Sequence, residues 1–363
     1  MLLLTTREEA LGFPTGALVL GFCTSCGFIS NIVFDPKLLE YSSRYEASQA
    51  FSQTFNSFHR NLATRLIQQY DLHDKDLVEI GCGQGEFLTL LCELGGNRGV
   101  GFDPAYNDSR KHNDSSSKVT IIKDFYSEKY ASYRGDFFCC KMTLEHIPNV
   151  ADFVRMVRRT IKGSLDPIVF FQVPDTSRVL QELAFWDVYY EHCSYFTLGS
   201  LASLFRRCGF DVIDLGKEYD DQYLMITAKP SDKETSITSK DDLETVAQEV
   251  DYFSANFRQT VTIWKQRLQR LSENGQRVVL WGAGSKAVAF LTTLQVQREI
   301  EYVVDINPHK QGAYLAGTGQ KILAPELLRE YQPNVVIVVN PIYISEIKQM
   351  LFDMGITVEM LSL

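Results

Sequence analysis

No run of clustered lysine and arginine occurs in the 363 residues, and the formal net charge is −9. Nucleic acid is thereby excluded as a partner, whereas a small anionic substrate would need only a local basic pocket. Also missing is any uninterrupted apolar stretch of membrane-spanning length, and Met1-Leu2-Leu3-Leu4 has neither a basic flank nor a long apolar core. These absences predict a cytoplasmic protein without a membrane partner. Cysteine is present eight times, but ligand spacing is scarce: only Cys23 and Cys26 stand as Cys-x-x-Cys. The others fall mostly in apolar runs, where a reduced thiol packs as a small hydrophobe. Cys23 and Cys26 supply two of the four thiolates a structural zinc site needs. The other two are absent, and His59 and His73 carry no ligand spacing, so zinc binding is expected to be weak.

The length exceeds what one core usually holds, which predicts two sizeable domains and a small appendage. The centre of the first domain is Leu77-Val78-Glu79-Ile80-Gly81-Cys82-Gly83-Gln84-Gly85. This is a hydrophobic strand, a glycine turn and then a helix over Glu86 to Leu91. Glycines 81, 83 and 85 let the backbone turn tightly and approach a ligand, and the helix presents its amino end to it. A second strand, Gly99 to Asp103, ends in a carboxylate placed to grip a ribose. A dinucleotide fingerprint spaces its glycines as Gly-x-Gly-x-x-Gly, whereas here they alternate after an acid. The stretch resembles motif I of class I methyltransferases, with Asp103 matching their ribose-binding acid, which implies S-adenosylmethionine as cofactor. Val119 to Phe125 is similar to the segment flanking the adenine, so Asp124 and Phe125 join Glu79, Gly81, Gly83, Gly85 and Asp103 as cofactor residues. Phe138 to Pro148 resembles the fourth strand, with its Leu-Glu-His-Ile ending.

In chain order, residues 1–40 read as a remnant zinc-type module, 41–230 as the methyltransferase domain, 231–275 as a linker and bracing helix, and 276–363 as a Rossmann-like domain. Apolar residues at helical spacing predict a helix over Tyr45 to Tyr70. Tyr41 and Tyr45 precede that stripe and are candidates to lid the cofactor and touch substrate. Alternating strands and helices from 75 to 230 predict a doubly wound α/β sheet closed by an antiparallel pair at 211–215 and 222–228. An insertion, Pro174 to Phe196, follows the fifth strand. Ser231 to Asp242 reads as a linker, followed by a long helix ending at Asn274-Gly275, a domain brace rather than a dimer seam; no feature sets an oligomeric state. Val278 to Lys286 repeats the strand and glycine turn, and about four strands fit beyond 277. Gly282, Gly284, Ser285 and Lys286 are candidates to hold a phosphate or nucleotide.

Together, Cys-x-x-Cys-Gly, the methyltransferase core, Tyr189-Tyr190-Glu191-His192 and Gly282-x-Gly284-Ser285-Lys286 with Asp305 to Gly312 resemble the sugar C-methyltransferase family over nearly the full chain. The resemblance implies methylation at C3 of a nucleotide-linked 4-keto-deoxysugar, and the family's Tyr-x-Glu-His motif falls on Tyr189, Glu191 and His192. The departures are the absent first cysteine pair, the segment Tyr41 to Glu46, and Asn340-Pro341-Ile342-Tyr343 in the last domain. Carbon methylation needs an enolate, and so a base and an oxyanion donor. His192 suits the base by its ordinary pKa of about 6.5. Glu191 would orient or charge-tune it, Tyr189 would donate to the oxyanion, and His146 is the reserve base. Two other readings compete: an O- or N-methyltransferase, which needs no strong carbon base, and a non-catalytic nucleotide-sugar binding protein.

Overall fold

The computed structural model describes residues 1–40, 42, 44–107, 118–232 and 240–363. The amino-terminal stretch carries helix α1 (Arg7–Leu11), capped by the Thr6 hydroxyl, and strands β1 (Leu20–Phe22) and β2 (Ile29–Asn31). The two strands form an antiparallel hairpin around Cys23 to Phe28, where the amides of Cys26 and Gly27 both donate to the Cys23 carbonyl.

The next helix, α2 (Gln53–Tyr70), is eight residues shorter at its start than the apolar spacing predicts. Ser52 stops it, accepting from the Phe55 amide at 3.2 Å as an N-cap. Residues upstream instead lie along the carboxyl-terminal domain: Asn307 Nδ2 donates to Glu46 Oε1 at 3.1 Å and to the Ser48 carbonyl at 3.3 Å. Phe51, the first member of the predicted stripe, is accordingly exposed. Glu346, from the far end of the chain, accepts from the Ser52 hydroxyl and from the Gln53 and Thr54 amides. A carboxylate there satisfies orphan donors and complements the helix dipole.

The methyltransferase sheet follows: β3 (Asp76–Ile80), α3 (Glu86–Gly95), β4 (Arg98–Phe102), β5 (Val119–Ile122), β6 (Phe137–Lys141), α4 (Val150–Thr160), β7 (Ile168–Pro174), α5 (Thr176–Gln181), β8 (Ser194–Tyr195), α6 (Leu198–Arg207), β9 (Phe210–Glu218) and β10 (Tyr223–Pro230). Seven of these strands form one sheet in the order β5-β4-β3-β6-β7-β10-β9, parallel except for β10, which runs antiparallel to both neighbours. The strand order reverses at β3, which opens a crevice beyond its carboxyl end, where such sheets bind ligands. β8 leaves this sheet and pairs with β2, tying the insertion to the amino-terminal hairpin.

Helix α7 (Lys240–Glu273) begins inside the predicted linker, whose residues 233–239 lie outside the described ones. It packs against both the insertion and the last domain: Phe257 meets Phe185 of the insertion, and Trp264 meets Phe290 at 5.2 Å. The last domain comprises β11 (Val278–Trp281), α8 (Ser285–Leu294), β12 (Tyr302–Val304), β13 (Lys321–Leu323), α9 (Leu328–Tyr331), β14 (Val335–Val338), α10 (Ile344–Asp353) and β15 (Glu359–Ser362). Its five strands, not four, are all parallel in the order β13-β12-β11-β14-β15. The strand missing from the sequence reading is β13, three residues with one fully buried side chain, Ile322, too short to show a period. Phe185 and Trp186 of the insertion belong to the same buried cluster as Leu280, Phe290 and Ile337, so the two domains share a core.

Candidate active site

A cavity of about 1010 Å³ lies between the two α/β units, lined by the Gly81–Gly83 turn on one side and the Gly282–Lys286 turn on the other. Both turns sit at points where the strand order of a parallel sheet reverses, beyond β3 and beyond β11.

On the methyltransferase side, Gly81, Gly83 and Gly85 have φ of +70°, +57° and +82°, the left-handed region that glycine enters without penalty. A Cβ on Gly81 would strike Thr143 and one on Gly85 would strike Ile121, whereas one on Gly83 would meet nothing within 4 Å. Gly83 thus borders the open cavity. Asp103, at the end of β4, accepts from the Gly83 amide at 2.9 Å and from the Ala105 amide at 2.8 Å. Both oxygens keep lone pairs for a diol. Asp124 is held by the Tyr130 hydroxyl and by Lys129, which lower its carboxyl to about 2. Phe125 beside it lines the cavity with 62% of its surface exposed, a face available to a purine. An open glycine cradle, an anchored carboxylate and an exposed aromatic fit S-adenosylmethionine.

On the opposite wall, β6 ends in a short turn carrying Glu145 and His146, and the insertion brings Tyr189, Glu191 and His192 against it. The backbone locks the two segments together: the Cys193 amide donates to the Glu145 carbonyl at 3.0 Å. The His146 and His192 rings meet edge to face at 4.8 Å, and Tyr189 lies 4.2 Å from His192. Burial, with charge repulsion from His146 and Lys286, pushes His192 well below its ordinary value, so it is a neutral imidazole at cellular pH. Burial raises the Tyr189 phenol, which therefore remains a proton donor.

Glu145, singled out by no spacing argument, is the unexpected member. Its side chain is 1% exposed, neither carboxyl oxygen has a hydrogen-bond partner, and Oε1 lies 3.9 Å from His192 Nε2. Burial pushes its pKa up to about 8. Glu191, by contrast, turns its carboxylate away from His192 and accepts from the Ser285 hydroxyl. Its backbone carbonyl contacts His146 Nδ1 at 2.8 Å. The carboxyl group beside His192 is thus that of Glu145, not that of Glu191.

The carboxyl-terminal turn contributes Gly282, Gly284, Ser285 and Lys286 to the same cavity. Lys286 Nζ is paired with Asp187 of the insertion at 2.7 Å, and Asp187 also binds Arg178 at 2.5 Å. Tyr45 lines the cavity; Tyr41 lies outside the described residues. Cys23 and Cys26 are on the hairpin turn, away from the cavity lining. Among the described residues, metal-like clustering of three or more donors occurs only at Glu145, His146 and His192, which does not include the cysteine pair. Among them, too, no helix is long and apolar enough to cross a membrane.

Two family models match the chain: "Methyltransferase domain" over residues 49–215 and "C-methyltransferase C-terminal domain" over residues 227–355. A curated relative, C-methyltransferase NovU of Streptomyces niveus, is 26% identical over 95% of this chain and 85% of its own. Solved structures with similar folds include magnesium protoporphyrin IX methyltransferase (ChlM) from Synechocystis PCC 6803, 11% identical over 52% of this chain and 90% of that one, TM-score 0.40. Another is the PH0226 protein of Pyrococcus horikoshii OT3, 17% identical over 51% of this chain and 94% of that one, TM-score 0.40. The chain is thus a methyltransferase that uses S-adenosylmethionine, with a region similar to the methyltransferase domain followed by one similar to the C-methyltransferase C-terminal domain.

Proposed function

We propose that the protein methylates the carbon next to the ketone of a nucleotide-linked 4-keto-deoxysugar, by way of an enolate generated by His192. The observation that carries this reading is the single cavity in which a cofactor cradle, an imidazole with a phenol beside it, and a second glycine turn converge. A carbon acid requires a base that is unprotonated at working pH, and buried His192 meets that need. Bound S-adenosylmethionine supplies an electrophilic methyl group. His192 takes the proton from the carbon, the electron pair enters the enolate, and the Tyr189 hydroxyl donates to the oxygen where charge develops. Burial of His192 and half-burial of Tyr189 strengthen these interactions and limit competition from water. Gly282, Gly284, Ser285 and Lys286 would hold the substrate's nucleotide or phosphate, with Lys286 exchanging its contact with Asp187 for the anion. An O- or N-methyltransferase would not need a neutral base flanked by an oxyanion donor, and a non-catalytic binder would need neither.

The test is His192→Asn, assayed for methyl transfer and for solvent deuterium uptake at the carbon beside the ketone. Loss of a general base typically costs about 10²- to 10⁴-fold, so both signals should fall by that order while cofactor affinity stays normal. Retained exchange with lost methylation would move the base to His146.

A further inference from the structure

The segment that carries Tyr189 and His192 is a β-turn. The His192 amide donates to the Tyr189 carbonyl at 3.1 Å, which makes Tyr190 and Glu191 the two central residues. The central residues set the directions of the outer two, so whatever holds Tyr190 and Glu191 also aims the phenol and the imidazole. Their side chains leave the turn toward different parts of the chain. The Tyr190 hydroxyl accepts from the Asp35 amide at 2.9 Å and donates to the Asp35 carbonyl at 3.3 Å, in the amino-terminal segment. The Glu191 carboxylate accepts from the hydroxyl of Ser285, the first residue of α8 in the carboxyl-terminal domain.

Helix α8 grips the insertion ahead of the turn as well. Phe185 and Trp186 pack on Phe290, their ring centroids 5.9 and 6.4 Å from its own, and Asp187 pairs with Lys286. Ser285 and Lys286, consecutive on α8, thus hold Glu191 and Asp187 on either side of Tyr189. The Glu191 carbonyl in turn lies 2.8 Å from His146 Nδ1. A carbonyl only accepts, so Nδ1 carries the proton and the turn orients the second imidazole too. A serine hydroxyl has one proton to give. At Ser285 it goes to a carboxylate, which would repel a phosphate brought to the same oxygen. The hydroxyl therefore serves the turn, leaving Ser285 its helix-terminal amide for an anion.

We propose that Ser285 is a positioning residue for proton abstraction, its hydroxyl fixing Glu191 and, through the turn, Tyr189, His192 and His146. The proposal rests on the reading of His192 as the base. It adds that the carboxyl-terminal domain sets the geometry of the chemistry besides holding a nucleotide.

Ser285→Ala removes the hydroxyl and keeps a good helix former at that position. Methyl transfer and solvent deuterium uptake at the carbon beside the ketone should both fall about 10- to 100-fold, the range for a hydrogen bond to a charged group. KM for the keto-sugar nucleotide should stay within about twofold, and Ser285→Thr, which keeps a hydroxyl, should restore both rates. In a Glu191→Ala background the loss from Ser285→Ala should vanish, because its effect runs through that carboxylate. A raised KM with unchanged kcat, or losses that add in the double variant, would overturn the proposal. A measurement without substrate separates it from the assigned reaction. The His146 imidazole N–H, identified in the downfield proton NMR spectrum by its absence from His146→Gln, should exchange with solvent about 10- to 100-fold faster in Ser285→Ala. Ser285→Thr should return it to the original rate. An exchange rate unchanged in Ser285→Ala would overturn the proposal. Absence of methyl transfer by the unaltered protein, with the NMR response intact, would leave the hold of Ser285 on the turn standing and overturn only the keto-sugar reading.

Discussion

Glu145→Gln is the perturbation that most directly probes the catalytic wall. With its pKa pushed up to about 8 by burial, Glu145 is protonated through the neutral range and ionises only above it. Once ionised it places a negative charge 3.9 Å from His192 Nε2. At an effective dielectric of about 20, two unit charges at that distance attract by about 4 kcal/mol, equivalent to about 10³ in the proton affinity of the imidazole. Deprotonation of Glu145 therefore strengthens the base, and the rate of carbon deprotonation should climb as pH rises through about 8. The variant mimics the protonated acid in shape and hydrogen-bonding capacity but cannot ionise. Deuterium exchange measured from pH 6 to 10 should show the two proteins nearly equal at the acid end. They should then diverge, toward a ceiling of about 10³-fold, above pH 8. Superimposable profiles, or a constant deficit at every pH, would refute the electrostatic coupling and leave Glu145 as a packing residue.

Two further substitutions address the ends of the cavity. Gly83→Val should abolish S-adenosylhomocysteine binding in calorimetry while the chain stays folded by circular dichroism. Its side chain would point into open space within the cofactor cradle, and the φ of +57° adds about 1–2 kcal/mol of strain. Lys286→Ala should raise KM for the keto-sugar nucleotide more than it lowers kcat, because a charge contact remote from the reacting carbon contributes uniform binding. Asp187 keeps Arg178 as a partner in that variant, so an unchanged KM would leave the turn with a structural role.

The features legible in the sequence are those written in local chemistry. Alternating glycines announce a backbone with positive φ, and all three of Gly81, Gly83 and Gly85 have it. Strand runs such as Phe137–Lys141 announce burial, and every residue of that strand is buried. Other features depend on contacts between distant segments and carry no local mark. Glu145 belongs to the Leu-Glu-His-Ile ending that marks the fourth strand, and its place beside His192, 47 residues away, follows only when the insertion folds back onto the turn after β6. Lys141 looks like an ordinary strand terminus until α2 brings His59 across it. Glu191 sits next to His192 in sequence, yet adjacent side chains diverge, and its carboxylate is claimed by Ser285 of the other domain. The start of α2 departs from the apolar spacing for a related reason: Phe51 keeps the helical spacing, but Ser52 caps the helix and Asn307 binds the preceding segment at Glu46 and Ser48.

The clasp of Glu346 on the first turn of α2 bears on how the chain matures during synthesis. Ser52 and the amides of Gln53 and Thr54 leave the ribosome almost 300 residues before the carboxylate that satisfies them. Glu46 waits similarly for Asn307, and the edge of β2 waits for β8. Contacts of such long separation close slowly and late. The methyltransferase sheet, whose strands are all made by residue 230, can be complete while one wall of the cavity does not yet exist. A nascent or prematurely terminated chain would thus bear a finished cofactor cradle with no enclosed chamber beside it. The wall that closes the chamber is completed only when the last helix, α10, has been translated.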